Sequence, residues 1–501
     1  MAYILLSIIS GLLTGITFNF PSFSLLAWFS LVPFLYVIAI SSYKKGLIGA
    51  FAFGISYYGS VLFWVANVSF LGLLVLLSYL CLFSLLFYFI AGYFITRPLR
   101  LVSLACAWVL IELLKENIWC GFGWGNMGYS QYNNFLLIQP ADAGGAKLIS
   151  FFIVTVNTAV LEIIFAFRNK IQNQEKHRLL FSRISYIVAV FSGIILYSSL
   201  RIFSLDDSGS VDVTLIQPNI AQEFKWQVFA KAVIKEKLFS LAEDSKEESL
   251  VIFPEAAWPD IVNENNLRQL NYFVKKTGKD SIFGAVKEEN DSFYNSAFVF
   301  DKTGALKGVY RKVKLVPFGE YVPLRKFLGF IGVLNSIGDI ESGKEFTVFD
   351  YNDRKFSVLI CFEDIFPDFV RNFSKGRDFL VNITNDAWFA GNPEALQHLG
   401  IMTLRAVENR IPLIRCANTG ISGWVSSRGE IEIIKNNRKE VFFDKAESFR
   451  INLTKGSSFY RENGELFAVF CGVALFVLLL AFGFRGSRQY QKTIREVQDE
   501  C

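Results

Sequence analysis

The sequence predicts a multi-span α-helical membrane region joined to an α/β domain of layered sheets, and three observations carry that expectation. Apolar residues make up 52% of the 501 and aromatics 16%, with 52 phenylalanines, far more than a soluble domain uses. Residues 1–204 break into seven apolar stretches and 465–484 form an eighth. Between them, over 205–464, charged and turn residues punctuate short β-branched runs that alternate with helical patterns, the signature of buried sheets with helical layers.

The predicted spans are 2–19, 22–42, 47–68, 70–95, 99–115, 145–167, 183–203 and 465–484. Each approaches the length a helix needs to cross ~30 Å of hydrocarbon, the first and fifth being shortest. The first has no basic flank before it and no small-residue cleavage site after it, so it reads as a retained anchor. Basic residues recur in alternate short loops: Lys44 and Lys45, Arg97 and Arg100, Arg168 to Arg183, and Arg485 to Arg495. The other short loops carry little beyond Lys115 and Lys147. The positive-inside rule therefore places both termini and the 485–501 tail in the cytoplasm, and 205–464 outside.

Within 205–464 the strand candidates are 211–216, 249–254, 281–286, 296–300, 356–361, 378–384 and 412–416, with helical patterns at 227–243 and 394–410. These runs are apolar almost throughout, as strands buried on both faces must be. No internal repeat is visible.

Composition excludes several kinds of chemistry. The chain has two histidines, His177 and His398. His177 lies in a basic loop expected on the other side of the membrane, so a histidine-based triad would rest on His398 alone. The seven cysteines show no CxxC pair and no ligand-type spacing to histidine, so neither a metal nor any other cofactor is expected. A net charge of +5 spread over many loops gives no argument for nucleic acid.

What remains is an ordered set of Glu255 in Phe-Pro-Glu-Ala-Ala-Trp-Pro, Lys312 in Tyr-Arg-Lys-Val-Lys-Leu-Val-Pro-Phe-Gly-Glu, and Cys361 in Phe-Ser-Val-Leu-Ile-Cys-Phe-Glu-Asp. A thiol attacks only as its thiolate, so a cysteine enzyme needs a base and a cation to hold developing negative charge. With histidine scarce, glutamate is the available base. Glu255 and Cys361 each follow a predicted strand, and strand ends of a layered sheet converge on a crevice. Taken singly, each has a bland reading: a strand-end cysteine is usually a small buried hydrophobe, a glutamate after proline a turn residue, a lysine between apolar residues a solvated strand face.

At these positions the domain resembles the carbon-nitrogen hydrolase, or nitrilase, superfamily, through Pro254-Glu255, Tyr310-Arg-Lys312 and Cys361-Phe-Glu363. The whole chain resembles that superfamily's membrane-bound apolipoprotein N-acyltransferase family. The further matches are Gln217-Pro-Asn-Ile with Trp226, Leu315 to Pro323, Asn385-Asp-Ala-Trp-Phe389, Gln397-His398, Arg405 to Glu408 and Arg415 to Ser422, and in the membrane region Gly123-Trp124 and Gly128 to Gln131. Two positions depart from the pattern: Phe362 stands where a tyrosine is usual, and Lys314 where a histidine is usual. The Tyr-x-Lys spacing and the interval to Glu320 select Lys312 as the catalytic lysine.

The resemblance implies an α-β-β-α sandwich outside a bacterial inner membrane. It also implies transfer of a fatty acyl chain from phospholipid, through a Cys361 thioester, to the amine of diacylglyceryl-cysteine apolipoproteins, with ping-pong kinetics. Glu320 and Glu363 are expected to keep Lys312 charged and oriented, Trp226 to supply an apolar wall, and Phe362 to mark a local difference in the pocket. His398 is read as structural, and Asn385-Asp386 as a loop beside the site. The apolar stretch 323–334 reads either as core or as a lid that dips into the membrane surface. Two other functions fit the residues: a membrane-tethered amidase that hydrolyses a small C–N substrate, and a non-catalytic lipoprotein-binding protein on the same scaffold. Seven preceding spans argue against the first, and an intact triad against the second.

Overall fold

The computed structural model describes residues 1–168, 173–323, 325, 338, 340–389 and 392–483. The 323–334 stretch, apart from Pro323 and Arg325, and the 485–501 tail lie outside the described residues. The chain divides into two compact units. One runs from Met1 to Ile202 and resumes at Asn463, and the other is Phe203–Glu462.

In the first unit all eight predicted stretches are largely helical, but six, among the described residues, are long and apolar enough to cross a membrane. These are Ala2–Asn19, Pro21–Ile40, Tyr43–Asn67, Phe70–Phe94, Ala141–Arg168 and Asn173–Phe203. The fifth stretch is the helix Arg100–Asn117, which carries buried Glu112, Lys115 and Glu116. The eighth, Leu466–Phe482, has 17 residues. Crossing by the fifth, which buries charge within its apolar run, and by the eighth, which is short, is a proposal beside those six. The buried charges are paired, as they must be away from water. Lys147 Nζ lies 2.8 Å from Glu465 Oε1 and also contacts Glu116, while Glu112 accepts the Met127 N–H at 2.7 Å and the Trp108 indole N–H at 2.8 Å. The predicted start of the sixth span near 145 coincides with a break in the helix, where Gly144 and Gly145 leave helical geometry.

Among the described residues the second unit has twelve strands: β1 Asp206–Gln217, β2 Leu250–Ile252, β3 Ser281–Glu289, β4 Ser292–Phe300, β5 Leu306–Arg311, β6 Phe349–Tyr351, β7 Arg354–Ile360, β8 Phe379–Thr384, β9 Leu413–Ala417, β10 Gly423–Val425, β11 Ile431–Ile433 and β12 Lys445–Lys455. They form two six-stranded sheets, in the orders β12-β1-β2-β3-β4-β5 and β6-β7-β8-β9-β10-β11. Taken in those orders, both sheets show the same succession of pairings: antiparallel, parallel, parallel, antiparallel, antiparallel.

Strand periodicity sends alternate residues to opposite faces. Val211, Val213 and Leu215 of β1 join Leu250, Ile252 and Ile282 in a core shared with Val358, Ile360, Val381 and Ile383 of the second sheet. On the first sheet's other face Val251, Phe253, Phe283 and Phe298 pack against Ile234 and Leu238 of helix Ala230–Glu243 and Leu270 and Phe273 of helix Leu267–Thr277. Helices Pro367–Ser374 and Asn392–Asn409 cover the second sheet through Phe369, Phe373, Leu399 and Met402. The order is helix, sheet, sheet, helix: the nitrilase-like sandwich. All seven strand candidates fall on strands. Those the sequence did not announce are β5, β6, β10, β11 and β12, which lie at or next to sheet edges.

Candidate active site

Glu255 leaves β2 through Phe253 and Pro254 into a tight turn, in which Ala256 has a positive φ of 46°. The turn rests on β3, where Trp258 N donates to Gly284 O at 3.2 Å. It can rest there because residue 284 has no side chain: a Cβ would sit 2.3 Å from Pro254 O and 2.6 Å from Glu255 Cα. The result is a buried carboxylate, 8% exposed. Its Oε1 accepts the Asn295 amide at 2.6 Å and lies 3.6 Å from Lys312 Nζ.

Lys312 follows β5 and is fixed at both backbone polar groups, its N–H donating to Asn295 O and its carbonyl accepting from Gly343 N, each at 2.8 Å. Its ammonium is 1% exposed and straddles the Glu320 carboxylate, at 3.0 Å from Oε1 and 2.9 Å from Oε2. Burial works against the charge, but Glu320 and then Glu255 outweigh it, so the Lys312 pKa is raised and the group stays an ammonium. Asn295 links the two carboxylates by also donating to Glu320 Oε1 at 2.9 Å. The geometry distinguishes the two candidate lysines. Lys312 points into this cluster, whereas Lys314 is exposed with its Nζ 5.3 Å from the Phe366 ring centroid.

Cys361 opens a short 3-10 turn, Cys361–Ile365, directly after β7. Its φ of 52° is in the left-handed region, which costs a side-chain-bearing residue about 1 kcal/mol or more. Its carbonyl accepts the Asn382 amide at 3.0 Å. Burial pushes the thiol well above its ordinary value and the Glu255 charge adds to the push, while Lys312 opposes it. The resting group is therefore a thiol that needs a base, and both the glutamate and the lysine act on it electrostatically.

Glu363 acts on the Lys312 loop chiefly through the loop's backbone. Fully buried, its Oε1 accepts from Val313 N at 2.7 Å, Lys314 N at 3.0 Å and Tyr310 Oη at 2.7 Å, and its Oε2 accepts from Ile360 N at 2.7 Å. It fastens the Lys312 loop to the Cys361 turn rather than pairing with the lysine ammonium. Burial pushes its carboxyl up to about 7 against the pull of those donors. Phe362 is half-buried, its ring edge-on to Phe366 at 5.3 Å. Trp226 is 44% exposed, so it forms no buried wall in this state.

Two features escaped the sequence. Asn295, inside β4, joins the two carboxylates, and its only signal was a polar residue at the head of an apolar run. Lys225 is 1% exposed, with Nζ donating to Glu255 O at 3.1 Å, and it looks in sequence like any solvent-facing lysine.

Beyond the thiol lies a buried charged cluster. His398 Nε2 is 2.7 Å from Asp364 Oδ1, and Arg415 Nη2 donates to Asp386 Oδ2 at 2.9 Å and lies 3.0 Å from His398 Nδ1. Asp386 in turn accepts from Thr384 Oγ1 at 2.8 Å. The cluster ties the Cys361 turn to β8, β9 and helix Asn392–Asn409, a structural place for His398. Asp386, Glu394 and His398 bring potential metal-ligand atoms within 4.8 Å of one another. The Arg415 guanidinium already contacts two of the three, so a cation of the protein itself fills the place a metal would take.

Known families match two long stretches of the chain. Residues 10–159 match the family described as apolipoprotein N-acyltransferase N-terminal domain, and 212–469 match carbon-nitrogen hydrolase. A Geobacter metallireducens protein named apolipoprotein N-acyltransferase is 31% identical over 96% of this chain and 95% of its own length. Proteins of the same name from Thermotoga maritima and Rickettsia typhi are each 30% identical, covering 96% and 87% of this chain and 94% and 89% of their own.

Proposed function

The chain belongs to the apolipoprotein N-acyltransferase family, and from that premise we propose that Glu255, Lys312 and Cys361 carry its acyl transfer in two half-reactions. The protein is an N-acyltransferase of lipoprotein maturation, and the donor we assign is a membrane phospholipid.

In the first half-reaction Glu255 takes the proton of the Cys361 thiol and the thiolate attacks the ester carbonyl carbon. Lys312, held as an ammonium, faces the oxyanion that forms. Collapse breaks the ester C–O bond. Glu255 returns its proton to the departing lysophospholipid oxygen, leaving a thioester. In the second, the amine of the diacylglyceryl-cysteine attacks that thioester and passes a proton to Glu255. The C–S bond breaks, and the thiolate regains its proton from Glu255. The lysophospholipid product leaves before the amine substrate reacts, so kinetics are ping-pong.

The observation that carries this reading is the convergence of the three groups from two sheets, Lys312 and Glu255 through Asn295 and Glu320, and the Cys361 turn onto the Lys312 loop through Glu363. The apolar helices of the first unit support membrane residence. The alternation of basic loops supports cytoplasmic termini and a periplasmic catalytic unit, which cysteine labelling from either side of the inner membrane tests.

The decisive measurement is mass spectrometry of the purified protein with phospholipid, followed by transfer to a defined diacylglyceryl peptide. A hydroxylamine-labile acyl adduct on Cys361, consumed when peptide is added, is expected. Cys361→Ser, Glu255→Gln and Lys312→Ala should each abolish transfer in a folded protein. Release of free fatty acid without peptide acylation would mean a hydrolase instead.

A further inference from the structure

Residues 221–229 form a solvent-facing turn in which Glu223, Phe224, Trp226, Gln227, Val228 and Phe229 are exposed. Lys225 alone of the charged residues there turns inward, to 1% exposure. This inverts expectation, because lysine is the side chain that most readily keeps its charge in water, and burying an ammonium is expensive unless it is well paired. Yet of its three N–H donors, one has a protein acceptor among the described residues, the main-chain oxygen of Glu255 at 3.1 Å. The buried ammonium ends beside Glu255.

We propose that Lys225 is a positioning residue for Glu255, its contact with the Glu255 carbonyl serving to place a buried positive charge beside that residue's carboxylate. The inference rests on the reading of Glu255 as the base. Around that carboxylate stand Lys312 at 3.6 Å, Glu320 shared through Asn295, and the Cys361 thiol. Lys312 is already committed to Glu320 in a two-oxygen contact, which leaves Lys225 as the cation whose charge is not offset by a second carboxylate.

Burial lowers the Lys225 pKa to about 8, with Glu255 pulling the other way. Its charge is therefore full below about pH 7 and fades above about 9.

The test is single-turnover thioester formation on the full-length protein in phospholipid micelles, from pH 6.5 to 9.5, for the wild type, Lys225→Met and Lys225→Gln. Following the first half-reaction alone keeps the titration of the amine substrate out of the profile. The wild-type to Lys225→Met rate ratio is expected to be about tenfold at pH 7, the scale of one nearby charge at a partly buried site, and to shrink towards one by pH 9.5. The ratio cancels the titrations that the two proteins share. Lys225→Gln, which keeps a donor for the carbonyl but no charge, should behave as Lys225→Met does. A ratio near one at pH 7, a ratio that does not change with pH, or full activity in Lys225→Gln overturns the inference. If Glu255→Gln forms thioester at the wild-type rate, it is the base assignment that fails. If Glu255→Gln is dead and Lys225→Met is normal, only the role of Lys225 falls.

Discussion

Gly284→Ala tests whether the turn bearing Glu255 must lie flat on β3. The added Cβ would stand 2.3 Å from Pro254 O, 2.6 Å from Glu255 Cα and 2.7 Å from Ala256 N. All three are main-chain atoms, so no side-chain rotation relieves the clash. Restoring ordinary contact requires the turn to lift by about 1 Å, and a displacement of that size at a catalytic group costs on the order of 10²-fold in rate. The sheet beneath should hold, since Ile282, Phe283 and Ala285 on either side are fully buried. The assay is thioester formation with a fluorescent phospholipid, alongside thermal protection of the buried Cys416 thiol as a check on folding. A folded Gly284→Ala protein that acylates Cys361 at the wild-type rate would refute the claim that this close approach places the base.

Two further expectations concern charge. Because the Glu255 charge adds to the burial that raises the Cys361 pKa while Lys312 lowers it, Glu255→Gln should speed alkylation of Cys361 by iodoacetamide several-fold near pH 8 while abolishing acyl transfer. Lys312→Met should slow both, and equal alkylation rates in all three proteins would contradict the electrostatics. His398 is held up to about 9 by Asp364 and Glu394, against burial and Arg415, so its folded value lies above the ordinary one near 6.5. A raised histidine contributes stability that is fully present below about pH 6.5 and lost as pH rises through about 9. His398→Gln should therefore be less stable than wild type by up to about 3 kcal/mol at pH 6.5, the gap narrowing by pH 10. A gap that does not vary with pH, measured by Cys416 protection, would show that protonation of His398 contributes nothing.

The central strands were legible because burial on both faces demands unbroken apolar runs, as in Phe379–Thr384, all six residues of which are buried. The edge strands were not. β11 carries no buried residue, and β12 alternates at its C-terminal half in a way that a charged, turn-rich segment disguises. The three residues proposed to carry catalysis stand out by their order along the chain, but the groups that pair with them do not. Whether Asn295 faces Glu255, or Lys225 turns inward, is decided by pairings between residues up to 40 positions apart. The fifth apolar stretch shows the opposite case: its average hydropathy conceals Glu112, Lys115 and Glu116, all buried in the helix Arg100–Asn117.

The pairing of β12 with β1 joins segments some 240 residues apart, in a register that runs from Asp206 with Lys455 to Gln217 with Lys445. On a ribosome this sets a timetable. Glu255 and Lys312 emerge first, Cys361 later, and β1 must wait for its long-range partner until almost the whole second unit has been made. A nascent chain thus carries Glu255 and Lys312 before Cys361, and the sheet beneath them stays open at one edge until synthesis is nearly over.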